Sequence, residues 1–176
     1  FYIKDYNNIV DALNFLIKKS TGKYIARLDA DDISKNLRFE KQVSFVKKNK
    51  SEFVSSDCKV ISKKDNLIYV HKTSLNKKFF TNPIVHPSIL VKSSLLKKHK
   101  YRHIPYAEDY ELYLRLQKIG VKLSNIRDNL TFYRLNDLNI KNSKRAFFLT
   151  VSTLAISKAF RQGLDVNESF FKKIQV

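Results

Sequence analysis

The feature that most constrains this chain is the alternation of helical and strand patterns along its first third. The segment "NNIVDALNFLIKKSTG" carries Ile9, Leu13 and Leu16 at helical spacing and closes at Gly22. "KYIARLD" follows as a strand, in which Tyr24, Ala26 and Leu28 alternate with Ile25 and Arg27. "SKNLRFEKQVSFVKKNK" returns to helical spacing, with Ser34 as candidate N-cap and Leu37, Val43 and Val46 as the inward residues. Helices alternating with strands predict an α/β protein in which helices flank a sheet.

The remaining segments extend that pattern. "FVSSDCKVIS" and "NLIYVHK" read as two strands of a hairpin joined by the polar turn "KKDN". "NPIVHPSILVKSSLLKKH" begins as a proline-punctuated loop and continues as strand and short helix. "AEDYELYLRLQKIG" is a helix ending at Gly120, and "VKLSNIRDNLTFYRL" is a strand pair or a strand and loop. The tail "KRAFFLTVSTLAISKAFRQG" is an amphipathic helix that groups Phe147, Val151, Leu154 and Phe160. The opening helix then reads as the crossover of a βαβ unit whose first strand is absent. Together with Phe1 at the start and no Met anywhere, this predicts an excerpt lacking about 60 upstream residues, two βαβ units' worth.

Charge narrows the partners. The 176 residues hold 34 Lys and Arg against 16 Asp and Glu, a net +18, while a hydrophobic fraction of 43% supports a real core. Such a balance suits an anionic partner (nucleic acid, an anionic membrane surface or a phosphorylated substrate), or reflects a genome biased towards Lys. The basic residues are scattered as pairs, with no zinc-finger, helix-turn-helix or aromatic RNA-binding pattern, so no nucleic-acid partner is expected. A single Cys58 excludes an internal disulfide and suits a reducing compartment. No apolar run approaches the ~20 residues of a membrane span.

Against this basic background the acids cluster twice: Asp29, Asp31 and Asp32 in "GKYIARLDADD", then Glu108, Asp109 and Glu111 in "AEDYEL". If the strand persists, Asp29 and Asp31 project to one side at its end, where open α/β sheets bind ligands. Paired carboxylates there suit Mg²⁺ or Mn²⁺ bridging protein to a diphosphate, while a turn or helix cap explains the same residues without a ligand. Glu108 and Asp109 open a helix, where they stabilise its dipole or supply a general base.

Taken together, "ALNFLIKKSTGKYIARLDADDISKNLRFEKQVSFV", "NPIVHPSILVKSSL", "YAEDYELYLRLQKIG" and "LTFYRLN" resemble the family 2 glycosyltransferases over about Asn7 to Asn136. The bacterial enzymes that build capsule, exopolysaccharide or lipopolysaccharide are the nearest group. The resemblance implies a GT-A fold, a Rossmann-like mixed sheet flanked by helices, here without the first strands of its nucleotide-binding half. It implies Asp29 and Asp31 as the D-x-D pair holding the divalent metal and contacting the donor, Asp32 as the trailing acid, and Asp109 of the Glu108-Asp109 pair as catalytic base. His86 and the Tyr133-Arg134 pair match further family positions, so His86 and Arg134 are candidate donor contacts. Arg27 and Arg38 flank the metal site and either reach phosphate or remain solvated at the surface. The family's Gly before the opening helix is replaced by Asn8, which tolerates a left-handed backbone.

The implied reaction is a metal-assisted, inverting transfer of a hexosyl or N-acetylhexosaminyl group from a nucleotide-sugar, UDP-linked by preference, to a saccharide or lipid-linked acceptor. An inactive transferase-like scaffold fragment, which shares every motif, is one alternative, and a basic nucleic-acid-binding module is the rival class. Residues 1–143 are assigned to the C-terminal portion of the catalytic domain and 144–176 to a helix and tail, which either pack on the core or rest on anionic lipid. A cytoplasmic location follows, peripheral on the inner membrane face if the tail binds lipid.

Overall fold

The computed structural model describes residues 8–77, 81–135 and 143–167, with backbone alone for 77 and 143–149. In chain order the elements are α1 (Ile9–Lys19), β1 (Tyr24–Ala26), β2 (Ile33–Ser34), α2 (Arg38–Lys48), β3 (Phe53–Ile61) and β4 (Leu67–His71). After short 3₁₀ turns at Leu75–Lys77 and His86–Ser88 come β5 (Leu90–Lys92), α3 (Ser93–Lys98), α4 (Glu108–Lys118), β6 (Leu123–Arg134) and α5 (Ser143–Arg161).

The six strands form one mixed sheet in the order β1-β5-β3-β6-β2, with β4 paired to β3. The β3–β6 pair is parallel and the other pairs are antiparallel. The two possibilities for residues 121–135 resolve into a single bulged strand. Opposite Ser56, Asp57 and Cys58 stand Ile126, Asn129 and Thr131, so β6 carries the extra residues and bends there. The expected β3–β4 hairpin is present, with Asp65 at φ 64° in its turn.

Successive residues of a strand face opposite sides, and the core divides accordingly. Phe53 points to a cluster made with Val10, Leu13 and Ile17 of α1, Leu96 of α3 and Leu112, Tyr113 and Leu116 of α4. Val54 points to the other side, against Val46 of α2 and Leu90.

Several sequence expectations change. In α1 the buried stripe is Val10-Leu13-Ile17, whereas Ile9 is 50% and Leu16 49% exposed. Apolar residues line more than one face of this helix, and packing on α3 and α4 selects the face that turns inward. Asn8 caps α1 from an extended backbone at φ −153°, its Oδ1 accepting from Asp11 N at 2.9 Å, so no left-handed conformation is needed. Ser34 is no cap: it pairs with Thr131 in β2, and Leu37, at the N-cap position of α2, is 55% exposed. The inward face of α2 is Arg38, Gln42 and Val46, a largely polar stripe that hydrophobic periodicity could not show.

The tail helix α5 packs on α4, with Ile156 and Ala159 joining Ile104, Ala107, Tyr110, Leu114 and Val166. Leu154 is 56% exposed, outside that contact, and Phe147 lies outside the described side chains. Arg102 Nη1 donates to Asp165 Oδ1 at 2.8 Å and to the Val166 carbonyl at 2.6 Å, closing the end of this layer. Among the described residues no helix is long and apolar enough to cross a membrane.

Candidate active site

The strand β1 stops at Ala26, three residues short of Asp29, so the first acidic run stands on a turn and the strand-alternation argument for it fails. Asp32 N donates to the Asp29 carbonyl at 3.1 Å, closing that turn. The three carboxylates differ in setting. Asp29 is half-buried and ion-paired to the Arg27 guanidinium. Asp31 is exposed. Asp32 is buried, with Oδ1 accepting from Arg134 N at 2.8 Å and Oδ2 lacking a hydrogen-bond partner. Burial pushes Asp32 up to about 7, helped by the charges of Asp29 and Asp31 and opposed by the Arg134 N–H. Burial also raises Asp29, against the pull of Arg27. The turn thus concentrates negative charge that its surroundings only partly balance.

Two arginines brace this turn. The Arg134 guanidinium donates from Nε to the Asp31 carbonyl at 2.8 Å and from Nη1 to the Ser62 and Lys63 carbonyls at 3.0 and 3.2 Å. It also pairs with Asp65 at 2.7 Å. Arg38 is fully buried, 0% exposed, which removes the surface role considered for it. Its partners are backbone carbonyls and Gln42.

The second run divides by function. Asp109 opens α4 with both oxygens held: Oδ2 accepts from Asn82 Nδ2 at 2.8 Å and Oδ1 from Tyr110 N at 2.7 Å. Burial, then the neighbouring Glu108 charge, pushes Asp109 up to about 7 despite those bonds. Glu108 instead lines a cavity of about 610 Å³ with Asn8, His103, Pro105 and Tyr106. Glu111 turns inward to a structural role, its Oε1 2.7 Å from Arg115 Nε and its Oε2 3.0 Å from Arg115 Nη2.

His86, a candidate from its motif, stands in an aromatic group whose two tyrosines no motif identified. His86 Nε2 and Tyr101 Oη share a 2.7 Å hydrogen bond, and the His86 ring meets Tyr113 edge-on at 6.4 Å. Burial is the main influence on Tyr101, but the charges of Asp109, Arg27, Glu108 and Asp29 all act on its hydroxyl. The structure therefore brings both acidic runs within electrostatic reach of one buried phenol. Asn82, Tyr101 and Tyr113 are the residues that sequence reasoning missed. Asn82 opens the "NPIVHPS" motif, and that place was the available signal; the tyrosines offered none.

The family model described as glycosyl transferase family 2 matches residues 2–109. The chain belongs to that family. It is 29% identical over 155 residues to the O-antigen biosynthesis glycosyltransferase WbnJ of Escherichia coli, covering 84% of this chain and 61% of the relative. Among solved structures, the mannosyltransferase PcManGT from Pyrobaculum calidifontis, in complex with GDP-Man and Mn²⁺, superposes with a TM-score of 0.62 at 18% identity, over 97% of this chain and 48% of that one. S. aureus TarS 1-349 in complex with UDP-GlcNAc gives 0.58 at 13% identity, over 89% and 47%. The fold of this family 2 chain is thereby GT-A. The chain spans about six-tenths of WbnJ and about half of each of the two solved chains.

Mn²⁺ is present in the PcManGT complex, and the groups of this chain that suit such an ion are those of the acidic turn. Among the described residues no three His, Cys, Asp or Glu side chains converge on one point. The unpartnered Asp32 Oδ2, the exposed Asp31 and the raised Asp29 and Asp32 instead fit an ion that takes one or two carboxylates and completes its shell with phosphate oxygens and water.

Proposed function

We propose that this chain is part of a glycosyltransferase that moves a sugar from a nucleotide-sugar donor to a saccharide or lipid-linked acceptor in cell-surface polysaccharide synthesis. The observation that supports the reading is that the charges of Asp109 and Asp29 both act on the buried Tyr101 hydroxyl, so the acidic turn and the start of α4 share one electrostatic neighbourhood. Residues 1–143 form the C-terminal portion of the catalytic domain in this reading, and 144–176 an appended helix and tail.

Asp109 is the base. Its oxygens are fixed by Asn82 and Tyr110 N, so the carboxylate is oriented before an acceptor arrives. Raised to about 7, it takes the proton of the attacking hydroxyl more readily than an ordinary carboxylate would. Glu108 keeps that carboxylate's proton affinity high and lines the adjoining cavity, where it meets the acceptor. Asp29 and Asp31 would hold Mn²⁺ or Mg²⁺, which when bound neutralises charge on the departing nucleoside diphosphate. Arg27 restrains Asp29 and adds positive charge beside it, Asp32 anchors the turn to β6, and His86 lines the donor side. One base and one electrophilic side suffice for a single, inverting displacement. A UDP-linked donor is favoured, with GDP as the competing nucleotide because the solved neighbours hold UDP-GlcNAc and GDP-Man respectively.

Calorimetric titration of UDP and GDP into the chain, with and without Mn²⁺, tests the donor site. Metal-dependent binding lost in a folded Asp31→Ala variant supports it; equal affinity in that variant rejects the assignment. The tail's contact with anionic lipid remains a separate proposal, tested by vesicle flotation at low salt.

A further inference from the structure

Arg38 and Gln42 occupy the inward face of α2, and neither exposes any surface. Complete burial of an arginine is expensive unless its donors are used. Here Nη2 donates to the Arg27 carbonyl at 2.8 Å and to the Ile89 carbonyl at 3.1 Å, while Nε donates to Gln42 Oε1 at 3.1 Å. Gln42 Nε2 passes the contact on to the Ser88 carbonyl at 2.8 Å. The Ile89 carbonyl also accepts from Arg27 N at 3.1 Å. The pair therefore grips two segments at once, where β1 leaves the sheet for the acidic turn and where the His86–Ser88 turn enters β5.

Among the described residues no carboxylate hydrogen-bonds to this guanidinium, yet Asp32 acts on it electrostatically and both Arg38 Nη1 and Asp32 Oδ2 lack hydrogen-bond partners there. An arginine kept only for stability has no need to lie beneath a cluster of acids, since a packed apolar residue serves as well or better. The guanidinium fixes the backbone that carries Asp29 and places a permanent positive charge under the turn.

We infer that Arg38, held by Gln42, is a positioning residue that presets the acidic turn for a metal-bound diphosphate and locks it to the His86 turn. This rests on the donor-site reading above. Arg38 touches no substrate in this role; it acts through the Arg27, Ser88 and Ile89 backbone. Lysine cannot replace it, because one ammonium cannot span two carbonyls and an amide oxygen in a fixed fork.

Two measurements on the chain test the inference, each with Arg38→Lys and with Gln42→Met, the milder change should the first fail to fold. Hydrogen exchange needs no ligand. Faster exchange at Arg27, Asp32 and Ser88 amides, by about tenfold, with Tyr113 unchanged, is the expected result. Equal exchange at those amides, or uniform acceleration throughout, overturns the clamp. The second measurement is the ratio of UDP affinities with and without Mn²⁺. A fall of about tenfold in that ratio, with metal-free affinity retained, marks positioning of the turn for the ion. If both affinities fall together, the residue is merely structural and the inference fails. Coupling present in wild type and retained in the folded variants overturns the inference alone. Absence of coupling in wild type, for UDP and GDP alike, overturns the donor-site reading and the inference with it.

Discussion

His86 Nε2 and Tyr101 Oη share a hydrogen bond 2.7 Å long, with ring centroids 5.4 Å apart and planes tilted by 55°. Burial, followed by the Arg27 charge, lowers the imidazole to about 3, so it is neutral at any pH where the protein works. Its ring resonances in heteronuclear NMR will stay constant from about pH 5 to about pH 9; a titration near 6.5 would contradict the geometry. Tyr101→Phe leaves that nitrogen unpaired and is expected to cost about 1–3 kcal/mol in denaturant unfolding.

Asp109 couples stability to activity with opposite signs. Its ordinary value of 3.8 rises to about 7 on folding, so the native state binds the proton more tightly than the unfolded chain. The stability this group contributes is complete below about pH 4 and is lost as pH rises through about 7. The base function needs the ionised form, so transfer gains rate over the last part of the same interval. Asp109→Asn is expected to flatten the decline of Tm between about pH 4 and about pH 7 by on the order of 2–6 °C. The same change abolishes turnover in a transferase assay. An unaltered pH slope would show that the carboxylate is not buried as described.

How far the sequence could be read follows from these residues. Asp29, Asp31 and Asp109 stand out as candidates because acids are scarce in this chain and their spacing is motif-like. Their settings could not be read, because burial is decided by distant partners: Arg134 N, 102 residues away, reaches Asp32, and Asn82 reaches Asp109 across 27. The same limit explains α2, whose inward face is polar because it grips carbonyls rather than filling a hydrophobic groove. The hairpin and the end of α4 were legible because turn chemistry is local. Strand β6 was ambiguous because its bulge interrupts the alternation on which strand recognition depends.

Gly120 ends α4 at φ +89°, with its N–H donating to the Gln117 carbonyl at 3.0 Å. A Cβ built there meets nothing within 4 Å, so any cost of substitution is conformational rather than steric. Gly120→Ala should destabilise by about 1 kcal/mol in thermal or denaturant unfolding, and donor binding should be unaffected. Gly120→Asn, which tolerates a left-handed backbone, should recover part of that loss. Equal stability of the three proteins would refute the assignment of φ as the constraint.

Arg134 ties the acidic turn to the hairpin through a planar fork. Its Nε reaches the Asp31 carbonyl at 2.8 Å while Nη1 reaches the Ser62 and Lys63 carbonyls at 3.0 and 3.2 Å. The ion pair with Asp65 adds little, since that carboxylate is 67% exposed and solvent screens it. Removing the Asp65 charge by Asp65→Asn should therefore leave stability within about 0.5 kcal/mol of wild type. Arg134→Lys keeps the charge but cannot reach the Asp31 carbonyl and the hairpin together, and is expected to cost about 1–3 kcal/mol. If the turn must be held to bind a metal-diphosphate, Mn²⁺-dependent UDP affinity should fall in Arg134→Lys and persist in Asp65→Asn. A matching loss in both variants would assign the effect to charge and exclude the fork.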